Sequence, residues 1–93
     1  MQIEFDPAKR EKTLAERGLD FADAPQIFAG PVIEAEDSRF DYGETRITSM
    51  GSLNDRLVVL VWTQRDQVRR IISMRYANER EIARYNLHLG RPG

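Results

Sequence analysis

The sequence predicts an α+β domain with helices packed on one face of an antiparallel sheet. Three observations point there. Helix start and stop signals cluster in the first thirty residues and again after residue 77. Between them the apolar pattern alternates in strand-like runs, so helix and strand are segregated along the chain. One of those runs, LVVLVW (57–62), is continuously apolar, as an inner strand should be.

The elements follow in the order β-α-α-β-β-β-β-α. QIEF opens as a short strand. Asp6-Pro7 then starts a helix, with Asp6 as N-cap and Pro7 at the first helical position, where its missing N–H costs nothing. The helix runs to Arg17, and Gly18 supplies its stop. Its apolar residues (Ala8, Leu14, Ala15) are sparse, which predicts a surface helix with a narrow buried stripe. Asp20 caps a second helix over residues 21–28, and Pro25 should kink or shorten it. Gly30-Pro31 ends it. Four strands follow: VIEAED, TRITSM, RLVVLVWT and VRRIISMR. SRFDYGE is a polar loop between the first two, and SLND and QRDQ read as hairpin turns. Asn78 to Tyr85 forms the last helix, with Glu81 three residues after its N-cap. Residues 87–93 read as a frayed tail.

The 93 residues make one domain with a modest core, 41% hydrophobic and 31% charged. Cysteine is absent, which excludes disulfides and zinc–thiolate sites. No apolar run is long enough to cross a bilayer, and the N-terminus lacks a signal-peptide layout, so a cytoplasmic location without membrane contact is expected. The net charge of −1 hides an asymmetry. Residues 1–45 hold five basic and eleven acidic side chains; residues 46–93 hold nine basic and four acidic. All nine are arginine, whose planar guanidinium suits phosphate or carboxylate. Either the basic half faces an anion, or the two halves neutralise each other across the fold.

The strand VRRIISMR is the first candidate site. Strict alternation puts Arg69, Ser73 and Arg75 on one face and Arg70 on the other, unless a bulge or the strand end re-aims one of them. Ser73 beside Arg75 makes a compact donor pair for a phosphate oxygen. The alternative is that these arginines pair with the acidic loop at residues 36–44. That loop, EDSRFDYGETR with the residues flanking it, is the second candidate. Its Tyr42, Glu44 and Arg46 supply acid, base and charge stabiliser, although a solvated, salt-bridged loop explains the same residues. Trp62 and Tyr76 can stack on bases or fill the core. Lys9 and Lys12 sit one turn apart on the first helix, where solvation explains them equally. A lone histidine, His88, leaves no Ser-His-Asp or Cys-His arrangement. The acidic residues follow no metal-loop spacing, and P-loop and GxGxxG sequences are absent, so no metal or cofactor is expected.

Five segments in order carry a resemblance: FDPAK (Phe5 to Lys9), Gly18 to Ala24, DSRFDYGETR (Asp37 to Arg46), Gly51 to Thr63, and RIISMRYA leading to Tyr85. Together they resemble the BrnT-type toxins of bacterial type II toxin–antitoxin systems. The resemblance implies a small RelE-like, metal-independent endoribonuclease that cleaves RNA and inhibits translation. It also implies a BrnA-type ribbon-helix-helix antitoxin, a heterotetramer or larger complex, and DNA contact only through that antitoxin. One position departs from the family pattern. Where the family's first helix ends Asn-Leu-x-Lys-His-Gly, this chain reads Thr13-Leu14-Ala15-Glu16-Arg17-Gly18. Arginine stays charged and can hold an anion but cannot shuttle a proton near neutral pH.

On this reading Arg70, Arg75 and Arg46 stabilise charge on the phosphate. Lys9 or Glu44 is the base, and Tyr42 or Tyr85 the proton donor. Arg17, Ser73 and Tyr85 are substrate contacts. Two rival readings remain: a toxin-like module that has lost catalysis and only binds its antitoxin, and a domain that binds nucleic acid without cleaving it.

Overall fold

The computed structural model describes residues 1–37 and 43–90. Its elements keep the predicted order: β1 (Gln2–Phe5), α1 (Pro7–Arg17), a 3-10 turn (Phe21–Asp23) running into α2 (Ala24–Ala29), β2 (Ile33–Asp37), β3 (Arg46–Leu53), β4 (Arg56–Arg65), β5 (Val68–Tyr76) and α3 (Glu79–His88). The predicted caps form. Asp6 accepts a hydrogen bond from Ala8 N–H, and Gly18 closes α1 in the left-handed region at φ 70°. Asp20 accepts from Ala22 N–H. Pro25 stands in the first turn of α2, and the segment before it is held as a 3-10 turn. The expected second helix is therefore divided at that proline.

The five strands lie in the order β1-β5-β4-β3-β2. β2 to β5 form an antiparallel meander, but β1 pairs with β5 in parallel, Gln2 opposite Val68 and Phe5 opposite Ile71. The sheet is thus mixed, not antiparallel throughout as the sequence suggested. Hairpin turns fix the direction of neighbours that are close in sequence. No such turn links β1 to β5, so their relative direction is a tertiary outcome. The β3–β4 turn is tight: Asn54 and Asp55 both sit at positive φ, 51° and 66°, the backbone hand a two-residue hairpin requires.

A second expectation also fails. Helices cover both faces of the sheet. On one face, Leu19, Phe21, Ala24 and Ile27 pack with Val58, Leu60, Trp62, Ile71 and Met74 into the main core. On the other, Tyr85 of α3 packs with Met50 and Val59, flanked by Ile33 and Leu57. The continuous apolar run of β4 explains this. Val58 and Leu60 serve one face and Val59 the other, so both faces need cover. The predicted frayed tail is also shorter than expected, because α3 continues through Leu87 to His88.

Two contacts set how closely the layers approach. A Cβ on Gly51 of β3 would lie 2.9 Å from Ile27 Cγ2 and 2.9 Å from Val32 Cγ1, so glycine is what lets α2 seat on the sheet. β1 covers only residues 68–71 of β5. Just past its end, Arg17 Nη1 donates to the Met74 carbonyl at 2.7 Å, giving that edge carbonyl a partner from the end of α1.

Candidate active site

β5 departs from strict alternation at one place. Ser73 faces Val61 and Ile71 faces Trp62, so Ile72 has no partner on β4. That single extra residue is a bulge, and it inverts the facing of everything before it relative to everything after. Arg70, Ser73 and Arg75 consequently share the face that carries α3. Arg69 turns to the other face, with its guanidinium 4.2 Å from the Trp62 ring centroid and 4.5 Å from that of Phe28. Those stacking contacts place Arg69 and Trp62 in the packing of the helical face, not at the site.

Arg75 and Ser73 line a cleft of about 450 Å³ on the α3 face, with Thr48 and Val61 on its floor and Asp37 at the β2 side. Arg46 stands opposite Asp37 at the last register pair of β2 and β3, two residues from Thr48 and so on the same face. The site is therefore assembled from four strands, with its arginines on β3 and β5 and small, apolar or acidic residues on β2 and β4.

Each arginine is tied to a carboxylate. Arg75 donates end-on to Glu81 at 2.7 and 2.8 Å. Glu81 Oε1 also accepts the Asn78 N–H, while the Asn78 side chain accepts from Glu81 N–H, completing the capping box of α3. These bonds, those of Arg75 foremost, hold the Glu81 carboxyl down to about 2 against the opposing effect of its partial burial. Arg70 reaches Glu4 of β1 at 3.4 Å. Glu44 meets two guanidinium groups, Arg65 at 3.4 Å and Arg46 at 3.7 Å. Glu44 of the acidic loop thus pairs with Arg46 and Arg65, neither of which belongs to the arginine strand for which that pairing was the alternative. On the arginine strand, Arg70 pairs with Glu4 of β1 and Arg75 with Glu81 of α3.

A family model for the ribonuclease toxin BrnT of type II toxin–antitoxin systems matches residues 5–81. The chain belongs to the BrnT family. No curated protein matches it. The match to BrnT runs from the end of β1 into the first turn of α3, so it contains the bulge, the cleft and the whole Arg75–Glu81 pair.

In this BrnT chain the remaining candidates are scattered. Lys9 is exposed on α1, which packs on the other side of the sheet. Arg17 lies on that side too, committed to the Met74 carbonyl. Tyr85 is only 1% exposed, and its phenol donates to the Pro31 carbonyl at 2.7 Å. It is a core residue of the α3 face, not a group presented to the cleft. Tyr42 lies outside the described residues. Among the described residues, no three His, Cys, Asp or Glu side chains are grouped to hold a metal ion.

Glu81 and Thr48 escaped the sequence reading as site residues. Glu81 was legible as a helix cap, but nothing local reveals that the same carboxylate reaches back to Arg75. One signal was present: only Ala77 and Asn78 separate β5 from α3, so the first turn of the helix must start beside the end of the strand.

Proposed function

We propose that this chain is a metal-independent endoribonuclease toxin that inhibits translation by cutting RNA, with a RelE-like ancestry for its fold. The observation that carries this is the bulge at Ile72, which brings Arg70, Ser73 and Arg75 to one face beside an open cleft. Two donors lining the cleft, Ser73 and Arg75, with Arg70 on the same face, suit the phosphodiester, whose transition state gathers charge on the equatorial oxygens.

In the proposed reaction an RNA 2′-hydroxyl attacks the adjacent phosphorus. The P–O5′ bond breaks, the proton of the 2′-hydroxyl passes to a base, and the leaving 5′-oxygen takes up a proton. The products are a 2′,3′-cyclic phosphate and a 5′-hydroxyl. Arg75 and Arg70 stabilise the phosphorane, with Ser73 donating to one oxygen and Arg46 at the far end of the face. Glu44 is the preferred base over Lys9, because its neighbour Arg46 belongs to the cleft side of β3 while Lys9 sits on α1. Tyr42 is the preferred proton donor over Tyr85, whose hydroxyl is already bonded within the core.

The antitoxin partner expected for a type II toxin is, in this proposal, a BrnA-type ribbon-helix-helix protein. Its dimer would bring two toxin chains into a heterotetramer and touch DNA on their behalf. Growth and RNA integrity after induction test the nuclease. Wild type should arrest cells and cleave RNA, and Arg75→Ala should do neither while staying soluble and bound to antitoxin.

One observation favours a second reading, a toxin-like module without catalysis. Arg17 replaces the histidine expected at the end of α1 and is spent on a backbone carbonyl. If wild type expresses well and neither arrests growth nor cuts RNA, this reading takes over.

A further inference from the structure

We infer that Glu81 is a positioning residue of the nuclease site: it fixes the guanidinium of Arg75 in the plane the phosphate needs. The inference rests on the proposed role of Arg75 and adds a residue to it. Arg75 is a long side chain at the rim, its side chain 46% exposed, and such a group left to itself samples many rotamers. An end-on pair of hydrogen bonds, 2.7 and 2.8 Å, removes that freedom. The carboxylate doing so is itself immobile. It is 19% exposed, it belongs to the first turn of α3, and it accepts the Asn78 N–H at 3.0 Å. One carboxylate therefore closes the helix cap and aims the site arginine. A donor aimed in advance contributes more to a transition state than one that must be ordered during the reaction.

The opposite sign is physically possible, which makes the inference testable. A carboxylate beside a phosphate-binding arginine also competes with the phosphate. If competition dominates, removing Glu81 accelerates cleavage; if positioning dominates, removing it slows cleavage. Asn78 separates helix capping from both effects. Asn78→Ala removes the side-chain bond to Glu81 N–H, yet leaves the Asn78 N–H and the Arg75–Glu81 pair in place.

The experiment induces wild type, Arg75→Ala, Glu81→Ala, Glu81→Gln, Asn78→Ala and the Arg75→Ala/Glu81→Ala double variant in bacterial cells at matched soluble protein. It reads the initial rate at which total cellular RNA is cleaved, alongside the melting temperature of each purified chain. Arg75→Ala should lose on the order of 10²–10³ in rate. Glu81→Ala should lose about tenfold or more, and Glu81→Gln less, because an amide oxygen still accepts from the guanidinium. The double variant should be no slower than Arg75→Ala alone, since Glu81 acts only through Arg75. Asn78→Ala should melt lower and cleave like wild type. Should Glu81→Ala fail to fold, Glu81→Gln against Asn78→Ala carries the comparison. A Glu81 variant that cleaves as fast as wild type, or faster, overturns the inference, as does a double variant whose losses multiply. Wild-type cleavage by Arg75→Ala, or none by wild type, overturns the proposed function itself.

Discussion

Arg70 and Arg75 lie five positions apart on β5 and face the same side of the sheet, because Ile72 between them has no partner on β4. In an unbroken strand an odd separation would put them on opposite faces. The bulge is thus what makes a two-arginine surface possible. Arg70→Ala should reduce RNA cleavage by on the order of 10²–10³, as expected for loss of one preorganised donor. Its stability should change by only about 0–1 kcal/mol, because the Arg70–Glu4 pair is partly solvated. Full cleavage by a folded Arg70→Ala chain would remove that arginine from the site.

Tyr85 sets a contrasting expectation. Its phenol is buried and bonded to the Pro31 carbonyl. Tyr85→Phe should therefore lower stability by about 1 kcal/mol, the usual net value of such a bond, and leave RNA cleavage intact. A large loss of cleavage with an unchanged melting curve would return Tyr85 to the role of proton donor.

Gly51 should not tolerate a side chain. A methyl group there would press on Ile27 and Val32, each 2.9 Å away, and overpacked cores typically lose about 1–3 kcal/mol. Denaturant unfolding of Gly51→Ala checks this; an unchanged midpoint would show that α2 shifts away at little cost.

A polar relay links β4 through β3 to the edge strand β2, buried at Trp62 and Ser49 and open to solvent at Glu34. Trp62 Nε1 donates to Ser49 Oγ at 2.8 Å, and Ser49 Oγ donates to Glu34 at 2.5 Å. Ser49→Ala would leave the Trp62 N–H buried without its partner, which costs about 1–3 kcal/mol. In the Trp62→Phe background the same change should cost less, since no donor is then stranded. Equal costs in both backgrounds would argue against the relay.

Acid should destabilise the fold through two carboxyls. Arg75 holds Glu81 down from 4.5 to about 2, and Arg10, bonded to Asp20 at 2.7 Å, holds Asp20 down from 3.8 to about 2. With both folded values depressed, the unfolded chain binds more protons in this range. Stability is then fully present above about pH 4.5 and drains away as the pH falls towards 2. Glu81→Gln and Asp20→Asn should each flatten that decline in pH-dependent melting. A decline as steep as wild type in the double variant would assign acid sensitivity to other groups.

The sequence by itself determined the elements and most of their ends. Asp6-Pro7, Gly18, Pro25 and the Asn78–Glu81 box act within a few residues, and local hydrogen bonds and φ preferences suffice to place them. The family, too, was legible in the order of segments from Phe5 to Tyr85, and the match over residues 5–81 agrees. What only the tertiary structure decided involves partners distant along the chain. The parallel seat of β1 beside β5, the cover of the second face by α3, and the bulge at Ile72 all depend on contacts that no local pattern encodes. The bulge matters most. A one-residue offset between β4 and β5 is invisible in either strand alone, yet it determines which arginines meet across the site. The continuous apolar run of β4 marked an inner strand, but cover of the second face became visible only in the packing of Tyr85 with Met50 and Val59.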